Sequence, residues 1–267
     1  MSFETIVKNI DSLPLLSDIF FKIQKLYEDG SDNIKIPELI SLIESDAILS
    51  VNILKMANSP IYGFSKKIST ISQAVTLFGI MQIRSFVMSY AIKSNIEANM
   101  DVYGITNEKF NDMCSLQSAL VLQWYSKINL SVVNQVAPLA LIMESGKLIL
   151  ANEIANSDYV DEFKIGLKKA NNIKEYEESL LDINSYTISA LLFKHWHLDP
   201  IYVDILENKI EGYLNILYVV KTAINVREIL TKNSVLNACK MVKVLGLDVD
   251  WFVKSCLRVK KSYMKEL

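Results

Sequence analysis

The strongest constraint on this 267-residue chain is the spacing of its apolar side chains, which recur mostly every three or four residues rather than every second one. Leu16, Ile19, Phe20, Ile23, Leu26 and Tyr27 show it clearly: they share one helix face, and Asp29-Gly30-Ser31 stops the run. Eight glycines and five prolines interrupt the pattern rarely. The spacing predicts an all-α protein of roughly a dozen helices with short connections.

Local signals divide the chain further. Pro37 suits a first helical turn, where its missing amide hydrogen costs nothing, and Leu39, Ile40 and Ile43 follow on the inward face. Asp46 is placed to cap a helix that runs through Val51 and Leu54 to about Ala57. Asn58-Ser59-Pro60-Ile61-Tyr62-Gly63 then forms a corner. Thr70 and Gln73 make a capping box for a helix expected to end at Gly79, and a strongly apolar helix follows with Ile80, Ile83, Phe86, Val87, Tyr90 and Ala91 on its buried side. A helix from Asn107 to about Lys127 carries Met113, Leu116, Leu120 and Trp124 in register, and residues 131–155 give one or two more. Residues 156–182 turn charged, with Glu175, Glu177 and Glu178 read as a solvated face on an exposed connection. Apolar helical spacing returns from residue 183 onward.

Composition limits the functional classes. Hydrophobic residues make up 51% of the chain, enough for a core without disulfides. Cys114, Cys239 and Cys256 are far apart, and no apolar leader precedes them, so a reduced, cytoplasmic protein is expected. No uninterrupted apolar run reaches the length of about 18 residues that a membrane span requires. The net charge of −2 gives no general attraction for nucleic acid. Arg258, Lys260, Lys261 and Lys265 make a basic tail, read as an ordinary helix end.

Four ordered blocks carry a resemblance to a known family. They are Leu13-Pro14-Leu15-Leu16; Ile43-Glu44-Ser45-Asp46 through Ala57-Asn58-Ser59 to Tyr62-Gly63; Ile68 to Gly79 with Ile83-Arg84 behind it; and Leu139 to Leu150, followed by Leu191-Leu192 and Trp196. In this order they resemble the HDOD family, the HD-related output domain of bacterial signalling proteins. The resemblance implies a compact all-α bundle, taken here as a domain over residues 1–200 with a helical extension over 201–267 packed on the same module. It also points to relatives, the HD phosphohydrolases, that bind metal through a His, a His-Asp pair and a later Asp. In this chain those places fall at Cys114, at Met143 and Glu144, and near Ile224 or Asn225.

The metal-binding chemistry is therefore missing from the sequence. The only histidines, His195 and His197, stand two apart, which on a helix turns them some 200° from one another. No catalytic residue, metal or cofactor is expected, and Cys114 reads as a small buried hydrophobe. The favoured function is a non-catalytic bacterial regulatory domain, in a setting such as motility, that contacts other signalling proteins, with self-association left open. Asn58, Ser59 and Tyr62 read first as a structural corner and second as a partner surface. Arg84 reads as a tie between helices or a partner contact. One alternative is a residual nucleotide-binding or phosphodiesterase site built from Glu144, Ser145 and Lys147. The segment is no P-loop, because Leu141 and Leu148 occupy the places of its first glycine and its Ser/Thr. A second alternative is DNA binding through the Arg84 helix, opposed by the single charge in Met81 to Tyr90.

Overall fold

The computed structural model describes residues 3–28 and 33–264, so the Asp29-Gly30-Ser31 stop and Lys265 lie outside the described residues. Its helices begin with α1 (Phe3–Asp11), α2 (Asp18–Lys25), α3 (Ile36–Glu44), α4 (Ala47–Ala57) and α5 (Ile71–Asn95). The centre of the chain gives α6 (Asn107–Tyr125), α7 (Leu130–Ile142), α8 (Gly146–Ala155), α9 (Val160–Lys169) and α10 (Ile173–Leu181). The remainder gives α11 (Ser185–His195), α12 (Pro200–Leu206), α13 (Tyr213–Ala223), α14 (Lys232–Val244) and α15 (Val249–Tyr263). Among the described residues there is no β-strand, only one isolated antiparallel bridge between Ile224 and Ile229. The fold is all-α, as the periodicity requires.

Side-chain caps set several boundaries. The Asp46 carboxylate accepts from the amides of Ile48 and Leu49 at 2.9 Å each and starts α4. Thr70 accepts from the Gln73 amide at 3.1 Å, while the Gln73 carboxamide reaches back to the Ser69 amide at 2.8 Å, one residue earlier than the usual capping box. Gly79 breaks α5 instead of ending it. Its φ of 75° and ψ of 162° suit glycine, and the helix resumes at once. Ile83, Phe86, Val87 and Ala91 are then buried as expected, whereas Ile80 and Tyr90 are only half-buried.

By length and composition alone α5 could cross a membrane, although Arg84 and Lys93 interrupt its apolar run. It is instead a core helix, with 61% of its most apolar window buried inside the fold. Helices α5, α6 and α7 pack together at the centre, and α13 and α15 pack on α6. Trp124 of α6 meets Phe252 of α15 edge-on at 4.8 Å, and the Trp251 indole N–H donates to the Trp124 carbonyl at 2.7 Å. Residues beyond 200 thus contribute to the same apolar interior as those before it.

The charged stretch 156–182 is not the exposed connection its composition suggests. It forms α9 and α10, because Phe163, Leu167 and Leu181 give each helix a buried stripe. Glu175 and Glu178 are exposed as expected, but Glu177 is fully buried. Helices α8 and α11 come closest at Gly146, whose amide donates to Ser189 Oγ at 2.8 Å. A Cβ at Gly146 would lie 2.0 Å from the Ser185 carbonyl oxygen. Only glycine fits. We expect Gly146→Ala to destabilise the protein by about 3 kcal/mol or more, because backbone atoms must move apart. Urea denaturation of the variant tests this, and a loss below about 0.5 kcal/mol, the ordinary scatter of surface substitutions, would show that the helices are not in contact there.

Candidate functional site

Between α7 and α8 the residues Met143-Glu144-Ser145 make a tight, buried turn. Ser145 closes it by donating its hydroxyl to the Ile142 carbonyl at 2.6 Å. Lys147, in the first turn of α8, returns its ammonium over this turn. Its Nζ lies 3.1 Å from Glu144 Oε2 and 2.7 Å from Glu177 Oε1, and it donates to Ser185 Oγ at 2.6 Å. The side chains of all three charged residues are at most 4% exposed.

Neutral donors complete the network. Tyr186 donates its hydroxyl to Glu144 Oε1 at 2.9 Å, and Tyr103 donates to Glu177 Oε1 at 3.0 Å. The Ser185 amide donates to Glu177 Oε2 at 2.8 Å. Gln117 of α6 donates to the Ile224 carbonyl at 2.9 Å and, more weakly, to Glu144 Oε1 at 3.4 Å. Burial by itself would raise the Glu144 carboxyl, yet Lys147, Lys221 and the Tyr186 hydroxyl together hold it below the usual carboxylate range. Burial would likewise lower Lys147, yet Glu144 and Glu177 hold it above the ordinary lysine value. Burial and then the adjoining carboxylates drive the hydroxyls of Tyr103 and Tyr186 far upward. Both tyrosines are hydrogen-bond donors at any neutral pH.

The places where a metal would be ligated hold no suitable set. Cys114 is buried in α6, and burial pushes its thiol up to about 12, with Lys93 pulling the other way. Met143 is fully buried and turns its carbonyl to the Ser189 hydroxyl at 2.7 Å. The Ile224 carbonyl accepts from Gln117. Only Glu144 offers a carboxylate, and the Lys147 ammonium already supplies its positive partner. No group of three or more His, Cys, Asp or Glu side chains that could hold a metal ion occurs among the described residues. The donor set does not fit a divalent cation.

Above the ion pairs opens a polar cleft of about 540 Å³, with Glu144, Lys147 and Tyr186 on its floor. Lys221 of α13 hangs into it, its Nζ 4.3 Å from the Tyr186 ring centre and 4.8 Å from that of Tyr218. Burial brings the Lys221 ammonium down to about 8, with Glu144 acting in the opposite direction.

A family model described as the HDOD domain matches residues 13–211. The chain belongs to the HDOD family. A solved protein from Shewanella amazonensis SB2B, provisionally named a phosphohydrolase, superposes with a TM-score of 0.69 at 16% identity, covering 96% of this chain and 97% of that one. A protein from Marinobacter aquaeolei VT8, provisionally named a signal transduction protein, gives a TM-score of 0.67 at 16% identity, covering 99% of this chain and 65% of that one. Identities this low speak for the shared fold. An uncharacterized protein of Treponema pallidum (strain Nichols) is 28% identical over 85 residues, 32% of this chain and only 16% of that relative's length.

The HDOD blocks meet in space. The Trp196 indole N–H donates to the Pro14 carbonyl at 3.0 Å and joins the first block to the last. Asn58 donates to the carbonyls of Leu54 and Ile68 at 2.8 and 2.7 Å and accepts from the Ile68 amide at 2.8 Å. Ser59 Oγ accepts from the Ile61 amide at 3.4 Å, and the Tyr62 ring packs against Phe78 and Phe86 at 4.9 and 5.7 Å. These three side chains are engaged in building the corner. Arg84 is 5% exposed, donates through Nε and Nη2 to Gln24 Oε1, and pairs with Asp199 Oδ2 at 2.6 Å. It ties α2 and α5 to the cap of α12, so its guanidinium is not free for a DNA phosphate. His195 ends α11, and His197, just beyond it, has a φ of 51°, in keeping with a helix terminus.

The sequence-derived residues therefore separate into three places: Glu144 and Lys147 in the ion-pair network, Asn58, Ser59 and Tyr62 in the corner, and Arg84 on its own. Reading the sequence missed Glu177, Tyr103, Gln117, Ser185, Tyr186 and Lys221. For Glu177 a signal existed, since Ile173, Glu177 and Leu181 fall four apart on one face of α10. A carboxylate on an apolar stripe calls for a buried cation.

Removing that cation should be costly. We expect Lys147→Met to destabilise the HDOD domain by about 3–5 kcal/mol near neutral pH, since two carboxylates lose their common partner. Because Glu144 is held below its ordinary value, its contribution is present above the carboxylate range and lost as pH falls through the folded value. The gap between wild type and variant should therefore narrow on acidification, and a pH-independent gap in denaturant titrations would contradict the pairing. Asn58→Ala should cost about 2 kcal/mol from its three lost hydrogen bonds, measured the same way, and no loss would return Asn58 to the list of free surface groups.

Proposed function

We propose that this protein is a non-catalytic regulatory domain of the bacterial cytoplasm that acts by contacting other signalling proteins. One observation carries the reading: a buried lysine ammonium sits against the one carboxylate left at the positions where HD phosphohydrolases bind metal. The Marinobacter relative's name points the same way, although it describes that protein.

The contact face in this reading is the outer side of the Asn58–Gly63 corner. There a groove of about 1170 Å³ is lined in part by Val51, Phe64, Lys55, Lys66 and Lys67. Val51 is 65% and Phe64 42% exposed, and no ion pair among the described residues engages the three lysines. Such a face suits an acidic protein segment with apolar anchors.

Two measurements test the reading. Incubation with cyclic dinucleotides and nucleoside phosphates, with magnesium or manganese supplied, should give no turnover. Turnover abolished by Glu144→Ala in a folded variant would establish the phosphodiesterase alternative instead. Crosslinking in native cytoplasm should yield specific adducts near residues 55–67 that Lys66→Glu/Lys67→Glu removes and Lys8→Glu does not. Equal adducts in all three proteins would refute the assigned face.

A further inference from the structure

In the cleft above the Glu144–Lys147 pair, the carboxylates and lysines of the rim are not paired with one another. Glu175 accepts from Asn172 Nδ2 at 2.8 Å, Glu178 from Asn184 Nδ2 at 3.2 Å, and Glu228 from the Thr231 hydroxyl at 3.0 Å. Each carboxylate is thus engaged by a neutral donor. Arg227 is engaged by the carbonyls of Leu167 and Ala170, and the two rim lysines are left over. Lys221 rests on the faces of Tyr186 and Tyr218, and Lys174 Nζ donates to the Tyr218 hydroxyl at 3.3 Å. Among the described residues, neither lysine has a carboxylate oxygen within 4.0 Å.

An ammonium held on aromatic rings gains only part of what a counter-ion gives, so a half-buried lysine without one is costly to maintain. With its value at about 8, Lys221 remains mostly protonated at neutral pH. Two ammoniums facing one partly enclosed space match a dianion better than a single carboxylate. The volume of about 540 Å³ lies in the range of small-molecule sites and exceeds what a bare ion needs. We propose that this cleft binds a small phosphorylated solute, its phosphate held between Lys221 and Lys174.

Lys221 comes from α13, beyond the 13–211 segment that the HDOD model matches, whereas Lys174 comes from α10 within it, so the site joins the HDOD segment to this chain's C-terminal helices. The ligand is bound and not converted, because the carboxylate at the floor is held as the counter-ion of Lys147, and Tyr186 is spent as a donor to it. The site is separate from the contact face at residues 51–67. It would give the domain a small-molecule input besides its protein contacts.

The experiment uses the full chain with inorganic phosphate and adenosine monophosphate as probes, and sodium chloride at matched ionic strength as the control. Limited acetylation of wild type, mapped by mass spectrometry, should show Lys221 protected by either phosphate probe and not by chloride, with Lys66 unaffected. Calorimetric titration should show Lys221→Met weakening adenosine monophosphate binding roughly tenfold or more. Unprotected Lys221, or equal affinity in the variant, would overturn the site and leave the non-catalytic reading standing. Release of phosphate from adenosine monophosphate by wild type would support the site while removing the non-catalytic reading. The acetylation arm needs no variant, so a poorly folding Lys221→Met leaves the test intact.

Discussion

The interior of this protein is organised around one ammonium. Lys147 lies where taking a charge out of water costs several kcal/mol, and two carboxylates, one from the α7–α8 turn and one from α10, compensate for it with a serine hydroxyl. The carboxylates in turn are satisfied by Tyr186, Tyr103 and the Ser185 amide. An apolar bundle can slide by small steps with little penalty, but this network keeps its ion pairs and hydrogen bonds in one register only. It fixes α8 against α10 and α11, and the glycine contact between α8 and α11 permits no other spacing.

A second buried cation ties a different set of helices. Arg84 joins α2, α5 and the start of α12 through Gln24 and Asp199, and its guanidinium lies 4.6 Å from the Tyr27 ring centre. The planar fork suits this, since Nε and Nη2 share one carboxamide oxygen while Nη1 takes the carboxylate. The rest of the core is a large apolar cluster crossed by a few buried polar links such as Gln82 to Ser118 at 3.1 Å. Polar interactions locate the helices, and hydrophobic burial supplies most of the driving force.

Much of the fold was legible because it follows from local rules. The helical spacing, the Asp46 and Thr70 caps, the Pro37 start and the Asn58 corner all act within a few residues. The HDOD blocks gave the order of the elements. What escaped the sequence reading was long-range pairing: Glu177 lies 30 residues from Lys147 and Tyr103 lies 74 from Glu177, and no local pattern connects them. The charged composition of residues 156–182 misled because a count of charges does not distinguish exposed Glu175 and Glu178 from buried Glu177. Lys221, inside an otherwise apolar helix, carried no sign of the aromatic faces it would meet. The absence of imidazole at residues 114 and 143 was plain from the sequence, but the internal cation paired with Glu144 was visible only in three dimensions.

The glycine at position 146 has a corollary for metal binding. Because its α-carbon abuts the backbone of α11, the start of α8 is held in place, and the Lys147 ammonium occupies the space beside Glu144. Putting histidines back at 114 and 143 and an aspartate at 144 would leave the lysine inside the reconstructed shell, repelling the metal. A metal site at these positions would therefore require a change at Lys147 as well as new ligands.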